Sequence, residues 1–198
     1  MQNLAEKVLK HANGLSEGTP LAAKELLHLG SRAAVDQVLS RLVRRGVLLR
    51  AGRGVYVHPV ESRFGTRAPS TAKMVEGLAA QRGETIVAHG AAAANTLGLT
   101  TQVPVREVYL TSGRSRRLKL GSQIVELRHA PAWQLVLPGR GAGNVVRVLA
   151  WLGPEKAGEA IRILKVKLSS TELEEIASAR ARLPTWMARE VSALVSHV

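Results

Sequence analysis

The residues best suited to chemistry in this sequence are arginines set around two short apolar segments. Residues 44–59 read RRGVLLRAGRGVYVHP, in which Arg44 and Arg45 precede a glycine and Arg53 lies between two glycines. Guanidinium groups donate two parallel hydrogen bonds to phosphate oxygens, and arginine and glutamine also suit the edges of guanine and adenine. The residue types and their spacing therefore predict contact with a polyanion.

Two helices are predicted just before this segment. Thr19 and Pro20 favour a helix start ahead of LAAKELLHL, which stops at Gly30. Ser31 can cap a second helix, RAAVDQVLSRLVRR, whose predicted buried face consists of Val35, Val38, Leu39 and Leu42. Two helices joined by so short a turn are typical of a helix-turn-helix, whose second helix lies in the major groove of DNA.

The opposite side of that second helix, here called the reading face, consists of Arg32, Ala33, Asp36, Gln37 and Ser40. Arg32 suits a guanine edge and Gln37 an adenine edge. Asp36 could accept a hydrogen bond from cytosine, or it could pair with Arg32 at the i,i+4 spacing, which is the interpretation we favour. The alternative for any single arginine is a solvated position near the carboxyl end of a helix.

The segments VLLRA and VYVHP predict two strands joined by a turn at GRG. A β-ribbon after a recognition helix is a wing, in which the apolar residues Val47, Leu49, Val55 and Val57 would pack on the helices. Its tip, with Arg50 and Arg53, would reach a phosphate or the minor groove. The predicted DNA-binding residues are Ser31, Arg32, Ala33, Gln37, Arg41, Arg44, Arg45, Arg50 and Arg53.

Composition agrees with a polyanionic partner. The 198 residues carry a net charge of +13, and residues 1–60 alone carry nine basic and four acidic residues. The absence of cysteine excludes disulfides and thiolate metal sites and suits a reducing cytoplasm, and no apolar stretch is long enough to span a membrane. We therefore expect a cytoplasmic protein without a membrane partner.

The chain is long enough for two small domains, and the predicted fold class is α+β. Residues 1–60 predict a winged helix-turn-helix domain. The polar segment ESRFGTRAP, residues 61–69, predicts a linker. Residues 70–198 predict a mixed α/β domain with a small sheet and C-terminal helices, including a capping box at Ser169 and Glu172 and a helix break at Pro184.

Two further segments could carry chemistry. SGRSRRLKL, residues 112–120, predicts a second basic surface of Arg114, Arg116, Arg117 and Lys119, which could meet nucleic acid or an acidic partner, or could be a solvated loop. GRGAGN, residues 139–144, precedes a helix and could bind phosphate. It lacks the Walker lysine and the dinucleotide glycine pattern, so a plain loop is favoured.

Little in the sequence favours an enzyme. The six histidines are scattered without a paired metal spacing, and no serine lies in a G-x-S-x-G segment. An enzyme acting on nucleic acid or nucleotides would depend on GRGAGN and on the basic segment at 112–120. We therefore predict no catalytic residue, no metal ligand and no cofactor.

Four stretches occur in an order that resembles the AbiEi-type antitoxins of bacterial type IV toxin–antitoxin systems. They are VDQVLSRLVRRGVLLRAGRGVYVHP, GAAAANTLGLTTQVPVREVYLTSG, VVRVLAWLG and LPTWM, and they span most of the chain. The winged-helix part is shared by many regulators. The central AANTLGLTTQVP is the specific part of the resemblance.

The resemblance implies an autorepressor whose winged helix binds inverted repeats in its own promoter. Its C-terminal domain would counteract a nucleotidyltransferase-like toxin of an abortive infection system, which need not require a stable complex. Related proteins also use a positive C-terminal surface to help bind DNA. We expect a monomer or weak dimer in solution and two copies on double-stranded DNA. The alternative is a metabolite-responsive winged-helix repressor in which residues 70–198 sense a ligand.

Overall fold

The structure is a computed structural model that describes residues 3–63, 65–102 and 106–195. The chain divides into two units. The first comprises the residues up to Glu84 together with Arg117–Val125, and the second comprises Thr85–Arg116 together with the residues from Glu126 onward. Helices predominate and the strands form small sheets, so the fold class is α+β, as predicted.

Two α-helices open the first unit, α1 (Leu4–Asn13) and α2 (Arg32–Arg44). Asn3 and Glu6 form a capping box at the start of α1, and the Ser31 hydroxyl accepts a hydrogen bond from the backbone N–H of Ala34, 3.3 Å away, at the start of α2. Both caps satisfy backbone N–H groups that have no partner within the helix. The buried face of α2 is the predicted one: Val35, Val38, Leu39 and Leu42.

The segment predicted as a helix before α2 differs from the prediction. Leu21–Ala22 form a short strand, β1, and Ala23–Leu26 form one 3-10 turn. β1 pairs antiparallel with β3 (Val55–Val57), so its residues must be extended rather than helical. This pairing leaves only a few residues for helical structure before Gly30, and the prediction of an α-helix over LAAKELLHL is wrong for that reason.

A three-stranded sheet follows α2, with β3 in the centre between β1 and β2 (Leu49–Gly52). The turn between β2 and β3 is the predicted one, and Gly54 supplies the positive φ of 69° that the turn needs. Because β3 is central, all three of its residues are buried. Ahead of the turn the fully buried residues are Leu48 and Ala51, and the predicted Val47 is partly buried against the same core as α1 and α2. Leu49 is only partly buried, and the register of β2 and β3 is irregular between Arg50 and Gly52.

The segment predicted as a linker contains an antiparallel hairpin, β4 (Val60–Ser62) and β5 (Gly65–Arg67). The next helix, α3 (Thr71–Arg82), lies within the first unit. Its Gln81 Nε2 donates to the Pro20 carbonyl at 2.8 Å and to the Glu25 carboxylate at 3.0 Å, and Lys73 pairs with Glu17. The boundary therefore follows Glu84 and not residue 60. A short polar segment with glycine can form a hairpin as readily as a linker.

The chain continues with β6 (Ile86–Ala88), α4 (Gly90–Thr96), β7 (Glu107–Thr111), β8 (Arg116–Leu120) and β9 (Gln123–His129). The four strands form a sheet in the order β6-β7-β9-β8, and β6 and β7 are antiparallel. The turn between β8 and β9 lies at Gly121-Ser122, where Gly121 has a φ of 60°.

Four C-terminal helices complete the second unit: α5 (Gly141–Leu152), α6 (Pro154–Lys165), α7 (Ser170–Ala179) and α8 (Thr185–Val195). The predicted capping box is present, because the Ser169 hydroxyl accepts from the Glu172 backbone N–H and the Glu172 carboxylate accepts from that of Ser169. Pro184 precedes α8, as predicted. The apolar faces of these helices form one core that includes Val145, Leu149 and Met187.

The alanine-rich helix α4 packs closely on α5. A Cβ atom built on Gly90 would overlap the carbonyl oxygen of Arg147 and the Cβ of Trp151. Ala93 and Ala94 are buried beside Val148 on the same contact. Small side chains on α4 therefore allow the two helix backbones to approach each other.

We expect the stability of the protein to depend on the protonation of His89, which caps α4. Its Nδ1 accepts a hydrogen bond from the Ala91 backbone N–H at 3.2 Å, which requires an unprotonated nitrogen. Partial burial, followed by the charge of Arg128, lowers the pKa of His89 below its ordinary value of 6.5. A histidine whose pKa falls on folding stabilises the protein above its unfolded pKa, and this stability is lost as pH falls through the folded pKa.

The melting temperature of the wild type should therefore decrease as pH is lowered from about 7 to about 5. His89→Asn keeps an oxygen acceptor at the cap, so this variant should melt at a similar temperature at neutral pH and lose less stability on acidification. Thermal unfolding followed by circular dichroism over this pH range measures both. Parallel curves for the two proteins would show that His89 contributes nothing to the pH dependence.

Candidate nucleic-acid interface

Most of the reading face of α2 is exposed to solvent, and so is Ser31, the residue that caps the helix. Arg32, Ala33, Gln37 and Ser40 are all exposed, while Val35 on the opposite side is fully buried. Arg32 Nε donates to Asp36 Oδ2 at 2.8 Å, so the pairing favoured from the i,i+4 spacing is present. The helix thus presents one guanidinium and one carboxamide, two groups that can form paired hydrogen bonds with a base edge.

Three arginines lie at the carboxyl end of α2. Arg41, Arg44 and Arg45 are exposed, and none of them pairs with an acidic side chain in the part of the chain that the structure describes. Positive charge is favourable at this end of a helix, which gives them a structural use as well. Their position leaves the guanidinium groups accessible to phosphates.

The β2–β3 turn presents a further arginine to solvent. Arg53 is exposed, and no described atom lies within 4 Å of a Cβ built on the neighbouring Gly54, so the space at the turn is open. Arg50 is also exposed, but it lies within β2, opposite Tyr56. The prediction that Arg50 lies at the tip of the ribbon is therefore wrong. The predicted positions of the two arginines thus hold for Arg53 alone.

A cleft of about 420 Å³ adjoins the start of α2 and was not predicted. Three basic residues from separate segments line it: Lys24 of the 3-10 turn, Arg32 of α2 and Arg82 near the end of α3. Glu84 and Gln81 also line it. No local pattern in the sequence could indicate Arg82, because its position depends on the packing of α3 within the first unit.

The predicted second basic surface is divided between the two units. Arg117 and Lys119 are exposed on β8 in the first unit, where they alternate with the buried Leu118 and Leu120. A Cβ built on Gly52 would lie 3.4 Å from Leu118 Cδ2, so β8 packs beside the β2–β3 ribbon.

The other two members of that surface, Arg114 and Arg116, belong to the second unit. Arg116 is half-buried, and its Nη1 donates to the Arg114 carbonyl at 3.1 Å. The four residues therefore do not form a turn with four free charges, because the strand β8 begins at Arg116.

In the glycine-rich segment GRGAGN, the space beside two of the glycines is already occupied by oxygen atoms of the protein. The Glu172 carboxylate occupies the space beside Gly141, and the Leu137 carbonyl oxygen occupies the space beside Gly143. A carboxylate at the start of α5 already supplies the negative charge that a helix N-terminus favours. This arrangement supports the plain loop over a phosphate site.

Arg147 of α5 is the buried basic residue of this region. Its side chain is only 2% exposed, and burial lowers its pKa to about 10. Nη1 donates to the Val136 carbonyl at 3.3 Å and Nη2 donates to Asn144 Oδ1 at 2.9 Å. These bonds attach the loop before α5 to the helix, which is a structural role.

Asn95, in the stretch that carries the specific part of the resemblance, also has a structural role. Its Nδ2 donates to the carbonyl oxygens of Thr100 at 3.4 Å and of Gln102 at 3.3 Å. The partly buried amide thus holds the segment that follows α4, and its hydrogen bonds are satisfied by backbone carbonyls. Residues 103–105, which belong to the stretch GAAAANTLGLTTQVPVREVYLTSG, lie outside the described residues.

Among the described residues, no three or more histidine, cysteine, aspartate or glutamate side chains form a group that could hold a metal ion. Within the same residues, every helix is too short or too polar to cross a membrane.

Comparison with known proteins identifies the family but no activity. No curated protein matches the chain. The crystal structure of the RV2827C protein from Mycobacterium tuberculosis is similar, with a TM-score of 0.51 and 15% identity over 98% of this chain and 77% of that chain, which shows a shared fold alone. The sequence profile of DUF6088, a family of unknown function, matches residues 5–182. The chain therefore belongs to the DUF6088 family.

Proposed function

We propose that this chain is a sequence-specific DNA-binding protein that represses its own operon and acts as the antitoxin of a type IV toxin–antitoxin system. The observation that carries the DNA-binding part is the exposed set of arginines on α2 and the β2–β3 turn, while the opposite face of α2 is buried in the apolar core. The antitoxin part follows from the resemblance to AbiEi-type antitoxins.

The order of elements in the first unit supports a winged helix. α1, β1, the 3-10 turn and α2 are followed by the β2–β3 ribbon, and β1 completes a three-stranded sheet with that ribbon. In this proposal α2 lies in the major groove with its reading face against base edges, and the ribbon lies over the adjacent backbone. Two copies would occupy the two halves of an inverted repeat.

The basic residues then have different roles. Arg32 and Gln37 contact bases, whereas Arg44, Arg45 and Arg53 contact phosphates and carry no sequence information themselves. Lys24 and Arg82, which line the cleft at the start of α2, would extend the phosphate contacts along the backbone. Arg117 and Lys119 on β8 would add to them from the side of the ribbon.

We expect Gln37→Ala and Arg53→Ala to weaken DNA binding in different ways. Gln37→Ala should relax the base preference at one position and cost about 1–3 kcal/mol there. Arg53→Ala should weaken binding to every sequence and reduce the salt dependence, log K against log salt, by about 0.9 for the lost phosphate contact. Fluorescence anisotropy with the operator and its single-base variants separates the two. Identical behaviour of both variants would contradict the assigned roles.

The experiment that tests the whole proposal begins with footprinting of the DNA upstream of the gene. Protection of an inverted repeat is the expected result, and binding no tighter than to random DNA would rule out the repressor. The antitoxin part is tested by co-expression with an adjacent nucleotidyltransferase-like reading frame. Expression of that reading frame alone should stop growth, and co-expression of the full chain should restore growth.

The alternative of a metabolite sensor receives little support from the cleft beside Trp151. This cleft, lined also by Leu99, Lys156 and Ile163, has a volume of about 230 Å³. Small-molecule sites are commonly about 300–1,000 Å³ and enclose most of the ligand. A transporter or catabolic enzyme encoded next to the gene would nevertheless favour the sensor over the antitoxin.

A further inference from the structure

The reading face of α2 contains one acidic residue, Asp36, on a surface that we propose to bind DNA. A carboxylate repels the phosphate backbone, so its presence there opposes non-specific binding. The Arg32–Asp36 pair cannot be explained by stability, because the two side chains are 60% and 45% exposed and exposed pairs of this kind contribute little. The geometry of the pair indicates a different use.

Asp36 holds Arg32 by one nitrogen only. Arg32 Nε donates to Asp36 Oδ2 at 2.8 Å, and among the described residues the two Nη atoms have no partner. The guanidinium group is planar, so a fixed Nε also fixes the direction in which the two Nη groups point. Two N–H groups on one edge of that plane match the O6 and N7 acceptors of guanine.

We propose that Asp36 is a positioning residue, which directs the two Nη groups of Arg32 onto a single guanine in each half of the DNA site. This inference rests on the proposed function, because it requires α2 to lie in the major groove. Arg32 is the first residue of α2 and also lines the cleft with Lys24 and Arg82, so without Asp36 its guanidinium could turn toward a phosphate held there. Asp36 therefore raises specificity both by directing Arg32 and by repelling phosphate.

The test is selection from a library of DNA duplexes with a randomised core, using the full-length wild type, Arg32→Ala and Asp36→Asn. The wild type should enrich a consensus with a fixed guanine, and Arg32→Ala should lose that guanine alone. Asp36→Asn should reduce the preference for the same guanine by roughly tenfold while binding the unselected library more tightly, because one negative charge is lost. The double variant should show no loss at this position beyond that of Arg32→Ala.

Glu76→Gln is the matched control, because Glu76 is exposed on α3 in the same unit and its replacement removes the same charge. It should change the affinity for the unselected library slightly and leave the consensus unchanged. Circular dichroism of Asp36→Asn checks that its helices are intact, and any loss of helicity would be reflected at every position of the consensus rather than at one.

A consensus that is unchanged in Asp36→Asn would overturn the inference. The inference would also be overturned if Asp36→Asn lost the preference for a cytosine and kept the preference for the guanine, because Asp36 itself would then be the contact to the base. Enrichment of no consensus by the wild type would instead refute the proposed sequence-specific function. The two failures are therefore distinguishable.

Discussion

Gly90→Ala should strongly destabilise the second unit. The added methyl group would overlap the Arg147 carbonyl and the Trp151 Cβ, and neither group lies at the end of a flexible side chain. The two helices α4 and α5 must then move apart, which costs about 1–3 kcal/mol or more for an overpacked contact and would lower the melting temperature by roughly 2–4 °C for each kcal/mol. Urea unfolding followed by circular dichroism measures the loss.

Gly158→Ala is the control for this experiment. Gly158 lies within α6 of the same unit, and no described atom is within 4 Å of a Cβ built there. Alanine favours a helix over glycine by about 0.5–1 kcal/mol, so this variant should be as stable as the wild type or more stable. If Gly90→Ala matched Gly158→Ala in stability, the close approach of α4 and α5 would be refuted.

The second large effect is expected from the simultaneous replacement of Arg44, Arg45 and Arg53 by alanine. If each guanidinium contacts one phosphate, the slope of log K against log salt should fall by about 2.7 in magnitude, or ~0.9 for each contact. At about 0.1 M salt this corresponds to an affinity loss of roughly a few hundredfold for operator and random duplexes alike. Anisotropy titrations at several salt concentrations give both quantities.

The matched control removes three exposed basic residues from α6 of the second unit, Lys156, Arg162 and Lys165. Its net charge equals that of the triple arginine variant, so a loss of affinity in both proteins would indicate a general charge effect and no localised interface. Replacement of the three arginines by lysine should restore most of the salt slope, because a lysine also neutralises a phosphate.

Local patterns account for the features that were predicted correctly. The capping box at Ser169 and Glu172, the buried face of α2 and the β2–β3 turn each depend on residues within a few positions of one another, so their signals are present in short stretches. The Arg32–Asp36 pair is of the same kind. These features position most of the candidate DNA-binding residues.

The features that were missed depend on residues far apart in the chain. β1 is extended because Leu21 lies opposite Tyr56, a pairing that outweighs the helical pattern of the segment. The unit boundary was misplaced because α3 is held to the first unit by Gln81 and Lys73, through contacts with residues of the first 25 positions. The cleft beside α2 escaped prediction for the same reason, since Arg82 arrives there with α3.

The first unit is built from two separate stretches of sequence, one ending at Glu84 and one comprising Arg117–Val125. A single cut in the gene therefore cannot separate this unit from the second one. A fragment ending at residue 60 would lack α3 and β8, which approach the chain closely at Pro20 and at Gly52. Exchange of this unit alone between relatives by recombination would accordingly require three crossovers within this sequence: after Glu84, before Arg117 and after Val125.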